Sequence, residues 1–164
     1  MKTISELEDF LNTDLPQVLK TINGSEQALW GSMNLQQMIE HITLAFGLAR
    51  GLRSIELTAP ESNLIRMKNI GLLSDRPMPK GFNNPILTDD LKKLRHTDSE
   101  NAIQHLLDEI KQFTAYYKSM PSNHTMPHNI FGQLNYHEWL WFNYKHILHH
   151  LAQFGLVAYQ DRIQ

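Results

Sequence analysis

Residues 135–155, NYHEWLWFNYKHILHHLAQFG, decide the fold because they form one long helical pattern with defined ends. Asn135 and Glu138 have the spacing of a capping box, and Gly155 is typical of a helix stop. Between them, apolar side chains recur three and four residues apart, which places them on one face of a helix. The stretch also contains three histidines within five positions. A buried helix that carries a histidine cluster is therefore expected here.

Three further segments carry helix-start signals followed by apolar residues at helical spacing. They open at the capping box of Thr3 and Glu6, at Asn34 with Gln37, and at the capping box of Thr97 and Glu100. Pro16 is expected to break or restart the first helix, and the second is expected to end near Arg50, before Gly51. Four substantial helices without a convincing alternating strand predict an all-α fold, a four-helix bundle in a single domain over residues 1–164.

Two long irregular stretches are predicted to be inter-helix loops. Residues 74–88, SDRPMPKGFNNPILT, hold three of the seven prolines, and residues 120–134, MPSNHTMPHNIFGQL, show no regular pattern. A long loop inside a compact domain often covers a functional site. A plain surface connection is nevertheless the preferred interpretation of residues 74–88.

The composition is that of an ordinary globular domain, with 41% hydrophobic and 20% charged residues. The 15 basic and 17 acidic side chains give a net charge of −2, so neither nucleic acid nor a membrane surface is expected as a partner. The chain has no cysteine, so a metal would have to be bound by histidine nitrogen or carboxylate oxygen. An acidic N-terminal segment and the lack of a long apolar run predict a cytoplasmic location.

The histidines of the last helix are candidate metal ligands because two imidazoles one turn apart can bind one ion. His146 and His150 have this spacing, and His146 with His149, three residues apart, offers an alternative. On a helical wheel, His150 falls at the margin of the apolar stripe and His146 slightly further out, whereas His149 points away from it. The pair His146 and His150 is therefore preferred. His149 is the alternative ligand and is otherwise expected at the surface or in contact with a partner.

A third ligand has to come from another part of the chain. His41 flanks the apolar face of the second predicted helix, so two helices can present imidazoles to one groove of a bundle. These histidines also have a plain structural interpretation, as polar side chains at a core boundary that are hydrogen-bonded to carbonyl groups. No residue has the position expected of a general base, so the catalytic residues stay unassigned.

Four further residues are candidates for lining this site. Asn143 lies one turn before the first histidine of the pair, where it could orient substrate or water. Gln37 lies four residues before the candidate ligand of the second helix and could hydrogen-bond to it. Trp139 could form an apolar wall, and His128 could cap the entry of the last helix or lie near the site. Ordinary packing or exposure is the competing interpretation of Asn143, Gln37 and Trp139.

Three blocks of this sequence resemble the DinB/YfiT-like superfamily of metal-binding four-helix bundles. They are LWGSMNLQQMIEHI at 29–42, SDRPMPKG at 74–81 and FGQLNYHEWLWFNYKHILHHLAQFGL at 131–156, the last being the most specific. The resemblance implies that a helix-two histidine and a His-x-x-x-His pair bind a divalent metal, typically nickel or zinc. Carried over to this chain, the ligands are His41, His146 and His150. The resemblance also implies a homodimer.

The same resemblance implies a chemistry. Some members of the superfamily are transferases or isomerases that depend on a low-molecular-weight thiol, which implies a metal-activated thiolate that attacks a small-molecule electrophile. Three histidines leave at least one coordination position open, as a reactive site requires. A hydrolase in which the metal activates water is the close variant. The alternatives are a metal-binding protein without catalysis, for example a stress-related accessory protein, and a structural helical domain.

Overall fold

Six α-helices and one β-hairpin make up the part of the chain that the computed structural model describes, residues 1–81, 93–160 and 162–163. The helices are α1 (Ile4–Asp9), α2 (Leu15–Leu19), α3 (Leu35–Ala49), α4 (Glu61–Met67), α5 (Ser99–Ser119) and α6 (Tyr136–Gln153). Two π-helical turns, Phe10–Asp14 and Lys68–Leu72, join α1 to α2 and lengthen α4. The strands β1 (Thr125–His128) and β2 (Gly132–Asn135) pair antiparallel, with Thr125 opposite Asn135 and His128 opposite Gly132. None of these helices is both long and apolar enough to cross a membrane.

Side-chain caps fix the starts of three helices at residues that the sequence predicts. Complete capping boxes open α1, α3 and α6, formed by Thr3 with Glu6, Asn34 with Gln37, and Asn135 with Glu138. In α6, the Asn135 amide donates to Glu138 Oε2 at 2.9 Å, and the Glu138 amide donates to Asn135 Oδ1 at 3.0 Å. Beyond α3 and α6, Gly51 and Gly155 adopt positive φ angles of 74° and 69°, a conformation that ends a helix and that other residues rarely adopt.

The start of α5 differs by one residue from the prediction. Asp98, not Thr97, is the N-cap, and its Oδ1 accepts a hydrogen bond from the Asn101 amide at 2.8 Å. Thr97 donates its hydroxyl to Asp98 Oδ2 at 2.9 Å and accepts from the Asn101 side chain at 3.1 Å. The predicted box of Thr97 and Glu100 is therefore wrong, because the carboxylate one residue later reaches the free amide of the first turn.

The core lies where α3 packs against both α5 and α6. Phe46 of α3 meets Phe113 of α5 edge to face, with ring centroids 5.3 Å apart. Phe10, in the first helical segment, meets Tyr144 of α6 in the same manner at 4.7 Å. Helix α6 is consequently covered by α3 and by the N-terminal helices, and most of its residues from Trp139 onward are buried. This burial encloses the histidines that α6 carries.

The protein is mostly helical, as the sequence predicts, but two elements were not anticipated. Residues 61–72 are helical although α4 has no side-chain cap and leaves several apolar side chains exposed, so its sequence shows no clear buried face. All but the last residue of the hairpin, Asn135, falls in the stretch 120–134 that was predicted to be irregular. Each strand has four residues and β1 contains Pro127, so no alternating pattern marks them. Residues 82–88 of the predicted loop at 74–88 lie outside the described residues.

A buried lysine fastens the chain that follows α4 to α6. Lys145 Nζ donates to the carbonyl oxygens of Gly71, Leu72 and Ser74 at 2.9, 3.1 and 3.1 Å. Trp141 Nε1 donates to the same Leu72 carbonyl at 2.7 Å. Burial lowers the pKa of Lys145 to about 8. These four hydrogen bonds hold the chain beside the histidines of α6.

We predict that Asp98→Ala destabilises the protein more than Thr97→Ala. The first substitution removes the acceptor of a first-turn amide, whereas the second removes contacts between exposed side chains only. Urea unfolding followed by far-ultraviolet circular dichroism gives the midpoint of each variant, and we expect the lower midpoint for Asp98→Ala. A larger decrease of the urea midpoint in Thr97→Ala would indicate that Thr97, and not Asp98, is the N-cap.

Candidate metal centre

Three buried histidines meet between α3 and α6. His41 comes from α3, and His146 and His150 lie one turn apart on α6. The Nε2 atom of His146 lies 2.8 Å from His41 Nε2 and 3.0 Å from His150 Nε2, and the three ligand atoms all lie within 4.8 Å of one another. The exposed fractions of the three residues are only 8%, 6% and 6%. In the described ranges, no other group of three histidine or acidic side chains converges in this way.

A hydrogen-bond chain fixes the orientation of the His150 ring. His150 Nδ1–H donates to Gln153 Oε1 at 2.8 Å, and Gln153 Nε2 donates to the Trp30 carbonyl at 2.6 Å. Because a neutral imidazole has one N–H group, this bond leaves the Nε2 lone pair of His150 free to face the other two rings. Gly31 has a positive φ of 80°, and a Cβ atom there would lie 2.5 Å from Gln153 Nε2. A glycine at this position therefore lets the loop approach the end of α6.

The other two rings are held by packing. Nδ1 of His41 and Nδ1 of His146 are buried and have no hydrogen-bond partner among the described residues. Asn143, one turn before His146, is fully buried, and both polar atoms of its amide are also without a partner there. Phe142 stacks on the His146 ring with centroids 5.3 Å apart. Each unpaired buried polar atom lowers the free energy of unfolding by about 1–3 kcal/mol. This cluster therefore destabilises the helical core in which it lies.

Burial keeps the three rings uncharged at neutral pH. Desolvation lowers the pKa of His41 to about 4 and holds the pKa values of His146 and His150 well below the ordinary range of histidine. The closeness of the rings acts in the same direction, because a charge on one ring opposes a charge on the next. Each ring therefore offers lone pairs and no positive charge, which is the state in which imidazole binds a metal.

The donor set fits a divalent transition metal. Nitrogen ligands about 2.1 Å from one ion lie roughly 3 Å apart when the angle between the bonds is near 90°. The two Nε2 distances of 2.8 and 3.0 Å match that spacing. Nitrogen atoms that face one another so closely need a shared proton or a cation between them. Three neutral imidazoles suit zinc and nickel and leave coordination positions for ligands that are not part of the protein.

His149 lies outside the cluster, but it is not the surface residue that the helical wheel predicts. It is partly buried, its Nδ1–H donates to the Met78 carbonyl at 3.2 Å, and its ring meets Trp30 edge to face at 5.9 Å. Burial also lowers its pKa. The wheel treats the helix in isolation, whereas in the fold the segment around Met78 covers this side of α6. His149 contributes no atom to the group of three.

A cavity of about 690 Å³ opens beside the three histidines. Its walls come from the loop at 30–33, the π-helical turn after α4, the segment 76–81, the hairpin and α6. The five histidines that face it are His41, His128, His146, His149 and His150. A cavity of this volume accommodates a small organic molecule.

The four residues predicted to line the site have different positions. His128 lines the cavity, whereas Asn143, Gln37 and Trp139 do not. Gln37 accepts from the Asn34 amide at 2.8 Å in the α3 cap and faces a separate small cleft that His41 also lines. Trp139 is fully buried, donates its Nε1–H to a hairpin carbonyl at 3.2 Å and packs against the His128 ring at 5.4 Å.

Sequence reasoning missed Gln153 and the cavity walls. Gln153 could have been found, because it lies three residues after His150 and so on the same side of the helix. Trp30, Met67 and Met78 line the cavity from three separate segments. No local pattern reveals that these segments converge, and the helix that contains Met67 was not predicted.

Comparison with known proteins supports the resemblance carried by the three sequence blocks. A family model of the DinB superfamily matches residues 9–154, nearly the whole chain and all three histidines of the cluster. Searches of curated proteins and of solved structures give no match.

We predict that the metal-free protein loses stability between pH 7 and 5 because of its buried histidines. Burial lowers the pKa of His128 to about 3, so in this window the unfolded chain binds more protons than the folded chain. The stability contribution is complete above the unfolded pKa of about 6.5 and falls as the pH decreases. His128→Phe should therefore remove about 2 kcal/mol of the loss. Urea unfolding of both proteins at both pH values measures the difference, and equal losses would contradict the prediction.

Proposed function

Because the chain belongs to the DinB superfamily and buries three histidines around one point, we propose that it is a divalent-metal-dependent enzyme that acts on small molecules. The proposed ligands are His41, His146 and His150, and the proposed metal is nickel or zinc. The observation that carries the proposal is the approach of three uncharged Nε2 atoms beside a cavity of about 690 Å³. A structural zinc site has four protein ligands, whereas in the described part of the chain no fourth side chain joins this group.

A divalent metal, when bound, supplies a Lewis acid that lowers the pKa of a coordinated water or thiol toward neutrality. The residues of the chain contribute orientation and shelter from solvent. Gln153 holds the His150 ring through its Nδ1 atom, and Phe142 supports the His146 ring by stacking. The segment around Met78 covers His149 and forms one wall of the cavity, so a substrate there would be partly withdrawn from water.

The proposed reaction is an S-transferase or isomerase reaction that uses a low-molecular-weight thiol. The chain has no cysteine, so any thiolate nucleophile must come from a separate molecule. In the transferase reaction, the sulfur would form a bond to an electrophilic carbon, the leaving group would depart with its bonding electrons, and the thiol proton would pass to solvent. A hydrolase that uses the same histidines to place an activated water is the close variant. The homodimer and the cytoplasmic location stay predictions.

Metal analysis tests the ligand set. Protein purified without a tag is expected to bind one nickel or zinc ion per chain. His41→Ala removes a ligand and should abolish stoichiometric binding, whereas His149→Ala, the matched control from α6, should retain it because His149 is outside the group of three. Inductively coupled plasma mass spectrometry after dialysis gives the metal content per chain. Loss in His149→Ala with retention in His41→Ala would show that the ligand set is wrong.

Turnover distinguishes an enzyme from a metal-binding protein without catalysis. The metal-loaded protein is assayed with cysteine or glutathione as the thiol and chlorodinitrobenzene as the electrophile. We expect metal-dependent turnover that His146→Ala abolishes and that His105→Ala, a change of an α5 histidine that does not line the cavity, retains. Stoichiometric metal without turnover, also when other thiols and hydrolysable esters are tested, would favour the non-catalytic alternative. If the protein binds no metal, the remaining alternative is a structural helical domain.

A further inference from the structure

We infer that the cavity beside the three histidines binds a small organic anion, a carboxylate on an apolar body, through the Arg76 guanidinium at its mouth and the His128 N–H in its wall. This inference names the substrate class of the proposed metal site and rests on that function for its catalytic meaning. The binding itself depends on Arg76 and His128, which are separate from the three metal ligands. Metal binding and anion binding can therefore be tested independently.

The walls of the cavity are mainly apolar. Three aromatic rings and three flexible thioethers are among the lining side chains, namely Trp30, Phe131, Phe142, Met33, Met67 and Met78. Rigid rings provide flat contact surfaces, and methionine side chains adapt to irregular shapes. A ligand that fills this volume therefore needs an apolar body.

The charged side chains among the described lining residues of the cavity all have one sign. Arg76 and Lys145 line it, and no aspartate or glutamate is among the described lining residues. Lys145 already donates three hydrogen bonds to carbonyl oxygens, so its ammonium group is occupied. Asp75, which precedes Arg76 in the sequence, forms an ion pair with Arg162, in which Oδ2 and Nη1 are 3.2 Å apart. Apart from the metal ligands, the charged groups of the lining therefore favour an organic anion over an organic cation.

Arg76 is the other cationic side chain among the described lining residues. It is exposed, and its guanidinium group has no hydrogen-bond or ion-pair partner in the described ranges, where only its backbone amide bonds to Ser74. A guanidinium group offers a fork of N–H donors that matches a carboxylate. At the mouth of an apolar cavity, such a group would bind a carboxylate whose apolar body lies inside.

His128, which also lines the cavity, supplies a second donor. Its Nδ1 accepts from the Ile130 amide at 3.1 Å, so in the neutral ring the proton is on Nε2. Phe131 stacks on this ring at 4.7 Å and Phe142 meets its edge at 4.5 Å, which fixes its orientation. Nε2 has no hydrogen-bond partner in the described part of the chain, and it is not among the unpartnered polar atoms that are fully buried. Because His128 lines the cavity, we take its Nε2–H to face the cavity. It is placed to donate to a carboxylate or carbonyl oxygen.

Three probes with one carbon skeleton test the charge preference: phenylbutanoate, phenylbutanol and phenylbutylammonium. Isothermal titration calorimetry at neutral pH is done on the full chain, once metal-free after chelation and once loaded with nickel. In the metal-free protein we expect phenylbutanoate to bind roughly tenfold more tightly than phenylbutanol, because a charge-assisted hydrogen bond is added. Phenylbutylammonium should bind most weakly. Equal or tighter binding of the ammonium compound would overturn the inference.

Variants assign the preference to its residues. Arg76→Gln should remove most of the advantage of phenylbutanoate and leave phenylbutanol binding unchanged, whereas Arg66→Gln, an exposed arginine of α4 outside the cavity, should change neither. His128→Phe should weaken phenylbutanoate binding while far-ultraviolet circular dichroism shows that the fold is retained. An unchanged preference in Arg76→Gln would overturn the inference. If the metal-free protein prefers phenylbutanoate as expected but never binds nickel, the proposed metal-dependent enzyme is refuted and the proposed anion site is supported.

Discussion

The candidate metal centre depends on the burial of three uncharged imidazoles between α3 and α6. Each polar ring that leaves water loses hydration, and two of these rings have a buried Nδ1 without a partner among the described residues. An apolar side chain at each position would pack between the helices without that cost. A cation bound to the Nε2 atoms would explain the arrangement, because metal–nitrogen bonds would replace the hydration that these atoms lose on burial. The closeness of the rings, which opposes protonation, is the same property that favours a divalent ion.

Helix α6 supplies two of the three candidate ligands and also fastens the chain segments around them. Lys145, just before His146, donates to three carbonyl oxygens of the chain that follows α4. Gln153, three residues after His150, joins that ring to the loop at Trp30. The two side chains thus hold the walls of the cavity from the same helix that contributes three of its histidines. A change in the position of α6 would alter the cluster and the cavity together.

The sequence predicts the elements with strong local signals and misses those that depend on contacts between segments. Capping boxes and 3.6-residue periodicity locate α1, α3 and α6, and the superfamily match supports the resemblance of the three blocks. Helix α4 has no cap and no clear buried face, and the hairpin strands are too short to show alternation. His149 was misplaced for a related reason. A helical wheel describes one helix in isolation and contains nothing of the segment near Met78 that covers this residue.

A crystal structure of the nickel-loaded protein, with anomalous diffraction at the nickel edge, tests the central claim most directly. The expected result is one ion within about 2.0–2.2 Å of a nitrogen of His41, His146 and His150, with a remaining ligand position that faces the cavity. An ion bound elsewhere, or bound through His149 in place of His150, would contradict it, as would a cluster that stays without metal in crystals grown with nickel.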